Sequence, residues 1–225
     1  MSSNDEQIPL LVDNNLNTTI RNDRLSKWSI ISGLALFVSL VGSVLVRLPF
    51  NLFTYHPLFM TLFIVLVTEG VALLQPTSTV TEKKVGLKYH AAIQTISYTS
   101  VITGFSFIFY NKMVSGKPHF ESVHGKLGLF VFIYLLIQLV FGITVAFVPR
   151  IYGSVARAKG LWKHHRVFGY VLLVLVWLTA QLGVRADYMY NNLYSPKLIW
   201  LHWVSVFLIF GGIYSRIRFN KWGFK

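Results

Sequence analysis

The sequence predicts an all-α membrane protein: six transmembrane helices in an up-down bundle, with spans two to five forming a four-helix core. Three observations predict it. Of 225 residues, 54% are hydrophobic and 13% charged, against roughly 45–50% and 25% in soluble domains. Six apolar stretches each approach the ~20 helical residues that cross a ~30 Å hydrocarbon core. Four of the seven histidines recur at matched places within those stretches.

The first 27 residues read as a flexible polar tail with no early apolar core, so they are not a signal peptide. Within it, Glu6-Gln7-Ile8-Pro9-Leu10-Leu11 has the form of an acidic dileucine sorting signal, which an adaptor could bind. That reading favours an endosomal, lysosomal or vacuolar membrane, with the endoplasmic reticulum or another vesicle as the alternative. The spans follow at residues 28–48, 55–74, 89–110, 124–148, 165–184 and 198–214. Connections of about 6 to 16 residues favour antiparallel neighbours. The expected division is a tail over 1–27, a six-helix domain over 28–216 and a basic tail over 217–225.

Orientation follows from Lys and Arg. Arg21, Arg24 and Lys27 lie before the first span, and Lys83, Lys84 and Lys88 between the second and third. Arg150, Arg157, Lys159, Lys163 and Arg166 lie around the fourth connection, and Arg216, Arg218, Lys221 and Lys225 at the C-terminus. The other side holds only Arg47, Lys112, Lys117, Lys126, Arg185 and Lys197. Positive residues collect on the cytoplasmic side, so both termini are expected there. This placement between apolar runs also explains the net charge of +13 through the lipid bilayer rather than nucleic acid. Asn17-Thr18-Thr19 is a glycosylation sequon on the side where it would stay bare.

The chain has no cysteine, which removes disulfides, zinc–thiolate and iron–sulfur sites. The histidines are the candidates for metal chemistry. His56, His90, His124 and His165 each stand near the N-terminal end of spans two to five. Spans two and four descend from the outer face, so His56 and His124 belong there. Spans three and five rise from the cytoplasm, placing His90 and His165 at that face. Two imidazoles from opposed helices can close both axial positions of a haem iron, which favours electron transfer over oxygen binding. Two such sites, about 15–20 Å apart if each lies one to two turns inside its face, would make a wire for single electrons.

The neighbours fit a planar cofactor. His124 and Gly128, like His165 and Gly169, form His-x-x-x-Gly, which puts a glycine on the same helix face. Lys126, Arg166 and Arg47 could neutralise acid side chains. His164 competes with His165, but adjacent residues point about 100° apart, and His165 keeps the glycine spacing. His202, early in span six, is expected to make a core hydrogen bond. Glu69 is the one acidic residue deep in a span, near the cytoplasmic end, with a proton-handling or a structural role. His119, five residues before His124, could touch an acceptor or add a metal ligand. The alternative reading is a haem-free transporter or scaffold with histidine metal sites.

The stretches Tyr55-His56-Pro57-Leu58-Phe59-Met60, Lys88-Tyr89-His90, His119 to His124 with Gly128, and His165-Arg166 with Gly169 together resemble the cytochrome b561 family. The resemblance runs from the first span to the sixth and is strongest to its short, single-domain transmembrane reductases. It implies two haem b groups, one on His56 and His124 toward the non-cytoplasmic side and one on His90 and His165 toward the cytoplasm. Cytoplasmic ascorbate is the implied donor, and monodehydroascorbate or a ferric chelate the implied acceptor. Lys83, Lys84 and Lys88, with Arg157 and Lys159, are the implied ascorbate-binding residues. A homodimer is common in the family.

Overall fold

The computed structural model describes residues 7–75, 77–193 and 195–217, with the side chains of residues 7–21 outside the description. Glu6 of the dileucine-like segment, the Asn17 side chain, and Arg218, Lys221 and Lys225 of the C-terminal tail therefore lie outside the described residues.

Among the described residues, seven α-helices follow in order: α1 (Gln7–Leu45), α2 (Tyr55–Ala72), α3 (Val80–Val114), α4 (Val123–Phe147), α5 (Val155–Gly183), the short α6 (Asp187–Tyr190) and α7 (Leu201–Arg216). Two 3-10 turns, Pro149–Tyr152 and Pro196–Trp200, precede α5 and α7. Six helical segments are long and apolar enough to cross a membrane, and the described residues hold no strand.

Helices α1, α3 and α5 start well before hydropathy alone predicts, whereas α2 starts at the predicted residue 55. Helix α1 is continuous from Gln7, which corrects the expectation of a flexible tail. Pro9 falls in its first turn, where a missing N–H costs nothing, and no glycine interrupts residues 7–27. Helix α3 starts nine residues before the predicted 89 because Thr79 and Glu82 form a capping box. Helix α5 starts at Val155 because the Ser154 side chain caps it. Gly153, at φ +84°, turns the chain into that cap, a conformation glycine adopts without steric cost. Lys83, Lys84, Lys88, Arg157 and Lys159 thus stand on helical extensions rather than in loops.

The bundle is three antiparallel pairs: α1 with α7, α2 with α3, and α4 with α5. Small residues close the first pair. A Cβ on Gly33 would lie 2.7 Å from the Ser205 carbonyl oxygen, and one on Gly212 would lie 2.7 Å from that of Ser26. Ser26 and Ser29 donate across the seam to the carbonyls of Gly212 and Leu208, each at 2.6 Å. Lipid is as apolar as leucine, so close backbone approach and such hydrogen bonds hold membrane helices together. Asp23 pairs with Arg216 at 2.9 Å at one end of this pair. Between pairs, Trp177 is 1% exposed and donates from Nε1 to Thr68 Oγ1 at 3.1 Å, tying α5 to α2. The starts of α1, α3 and α5 lie at one end of the bundle, called here the basic end. The starts of α2, α4 and α7 lie at the far end.

Candidate functional site

Spans two to five bring the four histidines together in two pairs. At the far end, the rings of His56 (α2) and His124 (α4) have centroids 6.2 Å apart, at 76° to one another. At the basic end, His90 (α3) and His165 (α5) are 6.5 Å apart at 86°. A metal–imidazole bond is about 2.0–2.1 Å. With the ring centre a further ~1.1 Å behind the nitrogen, two imidazoles on opposite sides of one metal have centroids roughly 6.3 Å apart. Both pairs have a ring separation that would suit two imidazoles holding one metal atom between them.

Three rings are fixed by the helix opposite. The Nδ1 atoms of His56, His90 and His124 donate to the carbonyls of Gly104 (3.0 Å), Gly70 (2.7 Å) and Thr179 (3.0 Å). A carbonyl only accepts, so Nδ1 carries the proton and Nε2 keeps its lone pair for a metal. His165 Nδ1 is buried without a hydrogen-bond partner among the described residues.

Each ring also meets a glycine of the partner helix, through the carbonyls of Gly70 and Gly104 or through a missing side chain. A Cβ on Gly142 would lie 2.7 Å from His165 Cε1, and one on Gly183 would lie 2.9 Å from His124 Cε1. These seats are regular in sequence. Gly70 and Gly104 follow His56 and His90 by fourteen residues each, and Gly142 and Gly183 follow His124 and His165 by eighteen. Each helix therefore carries one of these histidines at one end and the seat for its partner helix's histidine at the other. Gly169, singled out by the His-x-x-x-Gly pattern, abuts Gln138, whereas Gly128 has only Thr179 at 3.8 Å.

A cavity of about 480 Å³ surrounds the far-end pair, within the ~300–1,000 Å³ range of cofactor clefts. His56, His124, Gly128, Phe105 and Phe132 line it, and Lys112, Ser122 and Asp187 bring polar groups to the same lining. Aromatic walls, a glycine opening and two opposed ring nitrogens fit a planar, largely apolar metal macrocycle with polar substituents. A bare metal ion fits less well: no group of three or more His, Asp or Glu converges among the described residues.

His119 also lines this cavity and stacks on Phe109 at 4.3 Å. Lys83, Lys84, Lys88, Arg157 and Lys159 are exposed at the basic end. His165, not His164, faces His90, while His164 stacks toward Phe168. Arg47 binds the carbonyls of Ser43 and Asn192 and is not part of the cavity lining; the lysine there is Lys112, which sequence reasoning missed. His202 is 0% exposed. The expected hydrogen bond of its side chain is not formed, since neither ring nitrogen has a partner among the described residues; its carbonyl instead accepts from Gln181 and Ser205. Glu69 is half-buried, facing the charges of Arg216 and Lys27.

Paired histidines at both ends of four antiparallel spans define a membrane-embedded electron-transfer protein. Residues 55–191 match the family profile of eukaryotic cytochrome b561, a stretch that holds all four histidines and all four glycine seats, and the chain belongs to that family. It is 27% identical over 170 residues to the mouse transmembrane reductase CYB561D2, covering 69% of this chain and 76% of that protein. The human protein of the same name is 26% identical over the same length and shares. A rice protein described as probable ascorbate-specific transmembrane electron transporter 1 is 30% identical over 136 residues, 59% of this chain and 56% of its own.

Proposed function

We propose that this chain passes single electrons from cytoplasmic ascorbate, at the basic end, to monodehydroascorbate or a ferric chelate at the far end. The observation that carries the reading is the pair of bis-imidazole sites at opposite ends of the same four helices. His56 and His124 would hold one haem b, and His90 and His165 the other. When bound, the two haems supply a one-electron relay through a barrier that ions and water do not cross. Fourteen residues of α2 separate His56 from the seat of His90, about 21 Å of helix, so the two sites together span most of the hydrocarbon core.

The chain's own groups do the rest. Nδ1–H bonds to backbone carbonyls fix the tautomer and aim Nε2. Apolar side chains make up most of the far-end lining. Ascorbate is a monoanion at neutral pH, so Lys83, Lys84, Lys88, Arg157 and Lys159 would raise its local concentration. Its oxidation releases one electron and one proton at the basic end. At the far end the acceptor takes up one electron, and monodehydroascorbate also takes one proton from that side. Lys112 and His119, beside the far-end cavity, suit an anionic acceptor. The name of the rice relative supports ascorbate as donor, and the excess of Lys and Arg at the basic end supports the orientation.

The test is a proteoliposome loaded with ascorbate. Externally added ferric chelate or monodehydroascorbate should be reduced only when the protein is present, and the rate should fall to background in His56→Ala and His90→Ala. Reduction that persists in both variants would refute the relay.

A further inference from the structure

The far-end cavity holds one polar atom that the polypeptide leaves unmatched. Tyr188 sits on α6, and its ring lies 4.5 Å from that of Phe53, which is in turn 6.3 Å from the His56 ring. All three residues line the cavity. The Tyr188 hydroxyl is closed off from solvent and has no hydrogen-bond partner among the described residues. Tyrosine hydroxyls usually find a partner when buried, and leaving one unpaired is costly. The residue is held in place, because its carbonyl accepts from Asn192 Nδ2 at 2.7 Å.

A partner from outside the described residues would satisfy it. A buried water wants two to four polar partners, so it would need others beside the phenol. The other buried side-chain atoms without partners, His165 Nδ1 and the His202 ring nitrogens, are not part of this lining. A carboxylate suits the surroundings better. Tyr188 offers an O–H donor, and Lys112, whose Nζ also donates to the Pro118 carbonyl at 2.7 Å, brings a positive charge to the same lining, as the exposed Asp187 brings a negative one. Haem b carries two carboxylates on one edge of its ring.

We propose that Tyr188 donates a hydrogen bond to a carboxylate of the haem held by His56 and His124, and is thus a cofactor-binding residue. This rests on the two-haem reading above. The phenol ties one edge of the macrocycle while the imidazoles tie its iron, so it slows release of the haem and holds its carboxylate in the charged form. Only the far-end haem is affected.

The experiment uses the full-length purified holoprotein and excess apomyoglobin as haem scavenger. Tyr188→Phe keeps the ring against Phe53 and removes only the hydroxyl. A hydrogen bond to a charged group of this kind corresponds to about a 10- to 100-fold change in rate. One of the two haem-release phases should accelerate by that factor and the other stay unchanged. Spectroelectrochemical titration should show one of two midpoint potentials shifted. His90→Ala assigns the phases: the one it retains belongs to the far end and is the one that Tyr188→Phe should accelerate. Release rates and potentials unchanged in Tyr188→Phe would overturn the proposal, as would acceleration confined to the phase lost in His90→Ala. A wild-type protein without haem would sink the two-haem reading itself, and is distinguished by the haem count taken before any variant is compared.

Discussion

Replacing Gly142 by alanine should empty one haem site and spare the other. The new Cβ would stand 2.7 Å from His165 Cε1 and 3.3 and 3.4 Å from its two nitrogens. Ordinary carbon contacts are about 3.5–4.0 Å, so the ring must retreat by roughly 0.8–1.3 Å. Metal–ligand distances tolerate only about ±0.2 Å. The ring cannot move that far and stay within bonding reach of a metal shared with His90. Alanine is otherwise better than glycine in a helix, by about 1 kcal/mol, so the helix itself gains. The assay is haem content by pyridine haemochrome against protein mass, with the optical spectrum of what remains. Gly142→Ala should fall from two haems per chain to one, and Gly183→Ala should do the same at the other end, where the Cβ meets His124 Cε1 at 2.9 Å. Gly211→Ala, with nothing within 4 Å of its Cβ, is the control and should retain both. Two low-spin haems in Gly142→Ala would refute the reasoning from the glycine seats.

The ligand choice at the basic end is tested by His165→Ala, which should lose one haem, and His164→Ala, which should keep two, both read by the same haem count. Gly212→Val should separate α1 from α7, because even a Cβ would lie 2.6 Å from Ile30 and 2.7 Å from the Ser26 carbonyl. Overpacking of this kind costs about 1–3 kcal/mol, so the thermal midpoint in detergent should fall. Trp177→Phe leaves Thr68 Oγ1 without the Nε1 donor, a loss of about 1–3 kcal/mol for a buried group that the same melting assay would show. Lys84→Glu with Lys88→Glu should slow reduction by ascorbate in stopped flow, and the gap to wild type should narrow as salt screens the charges; an unchanged rate would place the donor elsewhere.

The spans were legible because burial in lipid demands long apolar runs. The histidine pairs were legible because a spacing of one span plus one loop alternates these residues between the two ends. The glycine seats were not read, since they depend on which residue of a facing helix lies opposite each ring. Their signal was nonetheless present in the repeated intervals of fourteen and eighteen residues. The early starts of α3 and α5 escaped hydropathy because their first turns are polar and exposed, yet Thr79-Val80-Thr81-Glu82 spells the capping box. Lys112 and Tyr188 reach the cavity from the end of α3 and from a four-residue helix, places that no periodicity marks. The His202 ring is expected to be paired, because buried polar groups almost always are; neither ring nitrogen has a partner among the described residues, and Phe37 packs against the ring instead.

The relay proposed above requires that four histidines hold two haems that ascorbate can reduce. The direct measurement is the optical spectrum of the purified protein with haem counted per chain, before and after adding ascorbate. Two low-spin haems per chain, reduced by ascorbate, are predicted. A protein without haem, or with haem that only dithionite reduces, would contradict the account: the first would remove the relay, and the second would remove ascorbate as its donor.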